Sequence, residues 1–373
     1  MHFIRDLFAP GNLLFRDIVS DGGSKPGNKV LFVVDRGLYR HHPGLLGAIQ
    51  SYLREHQKHL ILAGPPLLVE GGEGVKNDPQ YVTWVHEAIH AAGLCRHSYL
   101  VAVGGGAVID MAGFAAATAH RGLRLIRVPS TVLAQADAAI GVKNGINAFG
   151  KKNLIGTFAP PGAVINDFCF LATLSHRDWL SGVAEAVKVA LIKDASFFDY
   201  LEANAVALSG RSQKVMEQVI YRCAALHLEH IATAGDPFEF GASRPLDFGH
   251  WSAHKLEQLS GFELRHGEAV AIGIALDTTY SCLAGILPKT DGQRVLTTLA
   301  NLGFALYTPE LEDPALPDGL REFQEHLGGR LTITLLWNIG HGLEVNDIQP
   351  GLIRESIVLL RKYETKPVRA VSG

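Results

Sequence analysis

Short apolar, β-rich runs alternate with helical stretches at the start of the chain, and this rhythm constrains the fold more than any other feature. "KVLFVVD" (29–35), "HLILA" (59–63) and "SYLVAVGGG" (98–106) are of strand length, and helical patterns near 43–58 and 78–92 separate them. Strands joined by crossover helices build a parallel sheet. From about Asp178 onward the β-branched runs thin out, and "WLSGVAEAVKVALI" and "SQKVMEQVIYRCAALHLEHI" follow the helical period. Late in the chain only "RLTITLL" (330–336) reads as a strand. The expected class is α/β, with an α/β half followed by a mostly α-helical half and a boundary near 165–180. A length of 373 residues suits two domains.

Composition narrows the partners. With 47% hydrophobic and 19% charged residues and no low-complexity tract, the chain reads as globular. A net charge of -3 and a pI near 6.6 provide no overall basic excess for a nucleic acid or a membrane surface. The N-terminal "MHFIRDLFAPGNLLFRDIVS" mixes Arg and Asp into its apolar residues, unlike a signal peptide. The longest apolar region, Ala269 to Leu287, carries Asp277 and several polar residues, which argues against a membrane span. Cys95, Cys169, Cys223 and Cys282 form no C-x-x-C pair, so a reducing cytoplasm is expected.

Three features suggest a nucleotide. Asp35 closes the first expected strand, where an acidic residue can hydrogen-bond an adenosine ribose. "GGGAVID" (104–110) follows a strand and opens a helix, so its backbone can approach a pyrophosphate at a helix N-terminus. It is not the G-x-G-x-x-G fingerprint, and a plain strand-to-helix turn fits it as well. "GGEGVKN" (71–77) adds a second glycine-rich turn carrying Glu73 and Lys76.

One motif points elsewhere. "HEAIHAAG" (86–93) matches the H-E-x-x-H helix of zinc proteases. The longer form of that motif needs histidine at 96, where Arg96 stands, and no Glu occurs between His90 and Glu185 to complete the shorter form. With 17 histidines in the chain, about one i,i+4 pair is expected by chance. The segment is therefore read as a crossover helix with Gly93 at its C-terminal cap.

The second i,i+4 pair is His250 and His254, in "LDFGHWSAHKLEQLSGFELRHGE", with His266 at the start of a further helix. Two imidazoles four apart share a helix face and can share an ion. A catalytic zinc takes three protein ligands, often two histidines and a carboxylate. Glu185, a charge in a strongly apolar helix, is a candidate; the alternative is a salt bridge to Lys188 one turn on. Spacing alone fits metal binding and ordinary helix histidines equally.

Taken together, "GGEGVKN", "GGGAVIDMAGFAAATAHRG", "VPSTVLAQADAAIGVKNGIN", "GKKNLIGTF", "SGVAEAVK", "LDFGHWSAHKLE" and "RHGEAVAIG" resemble, in order, the dehydroquinate synthase-like sugar phosphate cyclases over roughly residues 30–275. The resemblance implies a Rossmann-like NAD-binding domain at 1–170, a helical metal- and substrate-binding domain at 171–373, and an active site in the cleft between them. It implies zinc, with cobalt as the alternative, on Glu185, His250 and His266. His254 then falls to the substrate side. NAD contacts carry over to Asp35, Glu73, Lys76, Gly105, Gly106, Asp110, Ser130, Thr131, Thr173 and Leu174. Substrate and catalytic contacts carry over to Asp137, Lys143, Lys152, Asn153 and Lys188. Arg121, in "HRG", matches a phosphate contact supplied by the neighbouring subunit, which implies a homodimer.

The chemistry implied is a transient oxidation. NAD oxidises one ring alcohol, phosphate is eliminated, the ketone is reduced again and the opened sugar closes by an intramolecular aldol reaction. Zinc would polarise the alcohol and ketone, and NAD would take the hydride. Lys143, Lys152, Lys188 and Arg121 would meet the phosphate charge. His254 would help relay a proton, or would be an ordinary helix histidine.

The chain departs from the pattern at one end of the substrate. Asn usually stands three residues before the first zinc histidine in dehydroquinate synthases; here it is Asp247. His227 replaces an expected lysine, and Arg244 lies one position closer to His250 than the family arginine. A carboxylate for an amide, and a weakened cation, oppose a substrate carboxylate. Asp247 is similar to what appears in cyclases acting on sedoheptulose 7-phosphate, which make valiolone-type C7 cyclitols. Those enzymes often lack a histidine at the place of His254, which points to a separate branch. The expected substrate is thus a heptulose phosphate without a carboxylate. A 3-dehydroquinate synthase and a metal- and NAD-dependent polyol dehydrogenase are the alternatives.

Overall fold

In the computed structural model the two apolar runs "NKVLFVVD" and "YLVAVG" become strands β2 (Asn28–Asp35) and β5 (Tyr99–Gly104). They are buried on both faces, as parallel strands between helical layers must be. Alternate side chains serve different cores. Leu31, Val33, Leu100 and Ala102 face one cluster, with Val82, Val85 and Ile89 of the helix Gln80–Ala91. Val30, Phe32, Val34, Val101 and Val103 face the other, with Phe15 and Ile49. The period of two in a strand divides one sequence run between two helical layers.

The described residues are 1–21, 27–233, 247–326 and 329–364. The chain divides into two compact units, Met1–Ser175 and His176–Gly373. The first is built on a seven-stranded sheet that also holds β1 (His2–Ile4), β3 (Leu60–Leu62), β4 (Leu67–Val69), β6 (Arg124–Pro129) and β9 (Ala163–Asp167). Its order is β1-β9-β6-β5-β2-β3, with β4 also paired to β2, and every pairing is parallel. Asp35 therefore closes the second strand rather than the first. The edge strand β1 has only three residues, too few to show a period.

Between β6 and β9 lies a hairpin that the sequence pattern did not reveal, β7 (Lys143–Ala148) antiparallel to β8 (Lys151–Phe158). Its loop residues Phe149 and Gly150 both have positive φ, 52° and 75°, as a type I′ turn requires.

The second unit is mainly helical. The helices His176–Lys193 and His266–Leu283 are buried along most of their length and form its centre. The late strand expected at 330–336 is observed as β10 (Ile333–Asn338), but it has an unexpected partner, β11 (His341–Val345). Most of β11 is exposed, so it lacks the apolar run that would signal a strand. No helix among the described residues is long and apolar enough to cross a membrane.

Candidate active site

Parallel strands end on a common edge, so residues that follow different strands become neighbours. Asp35 ends β2, Gly105 and Gly106 follow β5, and Ser130 and Thr131 follow β6. Thr173 and Leu174 come at the end of the turn Phe168–Thr173 beyond β9. These four strands are consecutive in the sheet, so the fold gathers these residues, which the resemblance assigns to NAD, along its carboxyl edge. The helix Gly106–Thr118 starts at Gly105 without a side-chain cap. Its first N–H groups suit a pyrophosphate. Asp35 Oδ1 caps the next helix, accepting from Gly37 N at 2.7 Å and Leu38 N at 3.2 Å. A ribose contact would fall to Oδ2.

A polar network joins this edge to the β7–β8 hairpin. Lys76 is buried, and its ammonium donates to Asp110 Oδ2 at 2.7 Å and to the Asn153 side chain. Asn147 Nδ2 donates to Glu73 Oε1 at 2.8 Å, and Asn147 Oδ1 accepts from Asn153 N at 2.9 Å. Asn153 has a φ of +54°, a conformation these contacts hold in place. Expected NAD residues and an expected substrate residue thus share one set of hydrogen bonds.

The segment with Asp137 and Lys143 is organised by an arginine that sequence reasoning missed. Arg127 is completely buried on β6. Its Nη1 donates to Ala139 O and Gly141 O, and its Nη2 to Lys143 O and Asn144 Oδ1, at 2.5–3.0 Å. Burial lowers its pKa to about 10, with the charge of Asp110 opposing. Four neutral oxygens from a single segment hold this cation, so Arg127 fixes the backbone that presents Lys143. Arg121 lies in an exposed turn where it and His120 both have positive φ. The "HEAIH" histidines sit on a helix as expected, and His86 Nε2 lies 3.0 Å from both Ala115 O and Thr118 Oγ1. That is a packing role.

In the second unit, three helices bring together Glu185, His250 and His266. Small residues beside the two histidines set the crossings. Gly249 (φ 77°) precedes His250, and a Cβ on Gly249 would stand 2.7 Å from Ile274 N. Gly267 follows His266, and a Cβ there would stand 2.1 Å from Ser181 O. Asp277 anchors the His250 helix from the neighbouring one, accepting from Gly249 N at 3.1 Å and Trp251 Nε1 at 2.9 Å. Burial pushes the Asp277 carboxyl up to about 7, against these two hydrogen bonds.

The Glu185 carboxylate is fully buried, and neither oxygen takes a well-directed hydrogen bond. Oε2 forms an ion pair with Lys188, while Oε1 lies 3.4 Å from His250 Nε2 and 3.3 Å from His266 Nε2. The salt bridge and the histidine cluster coexist, one on each oxygen. Burial opposes ionisation, yet Lys188 and His250 hold this carboxyl well below the usual range. Burial also favours neutral His266, but Glu185 and Glu257 raise its pKa to about 10. The site thus favours a cation.

The donor spacing fits a metal. Tetrahedral zinc with bonds near 2.05 Å places its ligand atoms about 3.3 Å apart, matching the distances from Glu185 Oε1. His250 Nδ1 lies 3.1 Å from Phe248 O, which fixes that ring with Nε2 toward Glu185. His254 is exposed, with its ring 5.5 Å from that of His250 and 5.9 Å from that of His266. Asp247 is half-buried just before His250. His227 is nearly buried, and Arg244 lies outside the described residues.

Known proteins match this architecture along the chain. Residues 66–181 match the family described as 3-dehydroquinate synthase N-terminal, and 182–320 match its C-terminal counterpart. A 3-dehydroquinate synthase of Bradyrhizobium sp. (strain BTAi1) is 34% identical over 89% of this chain and 87% of its own. The solved 2-epi-5-epi-valiolone synthase of Streptomyces hygroscopicus subsp. jinggangensis 5008, with NAD+ and Zn2+ bound, is 28% identical, with a TM-score of 0.85 over 97% of this chain and 96% of that one. A 2-deoxy-scyllo-inosose synthase complexed with carbaglucose-6-phosphate, NAD+ and Co2+ is 24% identical and shares the fold, with a TM-score of 0.77 over 95% of each chain. With so much of both chains aligned at this identity, the protein belongs to the 3-dehydroquinate synthase-like family of sugar phosphate cyclases.

Proposed function

We propose that this protein is an NAD- and zinc-dependent sugar phosphate cyclase that converts a heptulose 7-phosphate lacking a carboxylate, of the sedoheptulose 7-phosphate type, into a C7 cyclitol. The observation that carries the cyclase reading is the convergence of Glu185, His250 and His266 around one buried carboxylate oxygen. The substrate assignment rests on Asp247, whose negative charge beside His250 disfavours a second carboxylate. The likeness to the 2-epi-5-epi-valiolone synthase supports it.

Bound zinc, or cobalt, would polarise the reacting alcohol, and bound NAD would take and return its hydride. The protein's residues supply the rest. Lys188 neutralises Glu185 so that a buried carboxylate stays ionised. Lys143, Lys152 and Arg121 offer positive charge to the departing phosphate, and Asn153 and Asp137 orient the sugar. His254 passes the alcohol proton outward from a ring nitrogen, and its exposure suits that role. We further propose a cytoplasmic homodimer in which Arg121 serves the neighbouring subunit.

A second reading, 3-dehydroquinate synthase, is favoured by the names of curated relatives at 32–38% identity. Phosphate release from a panel of C7 sugar phosphates separates the two. Turnover of sedoheptulose 7-phosphate without accumulation of NADH absorbance is expected. Release from the carboxylate-bearing dehydroquinate precursor alone would refute the proposed substrate, and accumulating NADH would point to a polyol dehydrogenase.

A further inference from the structure

His266 stands between two carboxylates. Its Nε2 lies 3.3 Å from Glu185 Oε1 and its Nδ1 lies 3.3 Å from Glu257 Oε2. Two overlapping groups of donors result: Glu185, His250 and His266, and separately His254, Glu257 and His266. A metal binds only the neutral imidazole, displacing one ring proton; the ring then donates toward one carboxylate and offers its lone pair on the other side only. Which side holds the proton decides where a metal binds.

The surroundings favour one arrangement. On the Glu185 side, His250 is already turned by Phe248 O so that Nε2 points inward, and the Glu185 oxygens are buried without directed hydrogen bonds. On the other side His254 is exposed to water. Both groups offer three donors, but a metal that must be stripped of water gains most where those donors are already buried and aimed inward. Glu257 is 3% exposed on the helix His250–Leu259, and its position beside Nδ1 suits an acceptor.

We infer that Glu257 is a positioning residue for the metal site. It accepts the Nδ1 proton of His266, fixes the ring's tautomer and rotation, and leaves Nε2 as the ligand. Such outer partners raise ligand basicity, and their loss typically weakens metal binding 10–100-fold. This rests on the reading that Glu185, His250 and His266 hold the metal.

The test measures zinc affinity of the purified full-length protein by chelator competition, and the visible spectrum of the Co2+-loaded form. Glu257→Leu should bind zinc about 10–100-fold more weakly and alter the cobalt spectrum. Glu257→Gln keeps a neutral acceptor and should recover part of the affinity. If Glu257→Leu does not fold, Glu257→Gln alone decides, with a loss of several-fold expected. Wild-type affinity in a folded Glu257→Leu, or in Glu257→Gln when that variant decides, would overturn the inference. Two control variants separate it from the reading it rests on. If Glu185→Gln leaves zinc binding intact while His254→Ala abolishes it, the metal sits with His254 and Glu257, and both statements fail. If Glu185→Gln abolishes binding and Glu257→Leu has no effect, only the inference fails.

Discussion

Replacing Gly267 with alanine tests the idea that close helix crossings, rather than the donor residues themselves, build the proposed metal site. A Cβ at 267 would stand 2.1 Å from Ser181 O and 2.5 Å from Ser181 Cα. Both are backbone atoms, so no rotamer change relieves the clash. The helix His266–Leu283 must retreat by about 1 Å to restore ordinary contact, and the hydrogen bond from Gly267 N to Ser181 Oγ, 3.2 Å long, stretches with it. Overpacking of this kind costs about 1–3 kcal/mol. In a unit of this size that corresponds to a fall in Tm of roughly 3–10 °C. His266 moves with its neighbour, whereas metal bonds tolerate about 0.2 Å. Zinc affinity should therefore drop by about tenfold or more. Thermal unfolding of the metal-free protein by circular dichroism, paired with chelator competition, measures both effects. A Tm within about 1 °C of wild type together with unchanged zinc affinity would show that the crossing is not what positions His266.

Other perturbations follow from the same geometry. Asp277 has a folded pKa of about 7, above its ordinary value of 3.8, so the native state keeps a proton that the unfolded chain releases. The stability this provides is complete below about pH 4 and is lost as pH rises through about 7; Asp277→Asn should flatten the fall in Tm across that window. Arg127→Met leaves four oxygens without their donor and should cost about 3 kcal/mol or more, raising KM for the sugar phosphate through Lys143 while leaving NAD affinity within a few-fold. Lys188→Met strips the buried Glu185 of its partner and should destabilise the metal-free protein by about 3–5 kcal/mol, with a smaller deficit once zinc is bound. If Arg121 acts across a homodimer, mixing inactive Arg121→Ala and Lys152→Ala subunits should restore about a quarter of wild-type activity; no recovery in confirmed mixed dimers would refute that arrangement.

The parallel sheet was legible because β5 and the Val30–Val34 stretch of β2 are unbroken apolar runs of strand length, as strands covered on both faces require. The β7–β8 hairpin was not. β8 is largely exposed, so its conformation comes from pairing with β7 and from contacts of Asn153 with Asn147 and with Lys76, the last of these distant in sequence. The proposed metal site shows the same division. Spacing placed His250 and His254 on one helix face, and yet the two rings sit differently, one buried and one exposed. Glu185 stood out as a charge in an apolar helix, but only the family resemblance paired it with His250 and His266, because no local period connects them. Glu257 was within reach of local reasoning: it lies three residues after His254 and seven after His250, on the same helical face. Nothing in "HKLEQL" singles it out, because the local sequence does not show that His266 will fold back against it. That return depends on Gly249 and Gly267, each adjacent to a histidine. In "FGH" and "HGE" the histidine supplies the donor atom, and the glycine supplies the close approach that lets donors from separate helices meet.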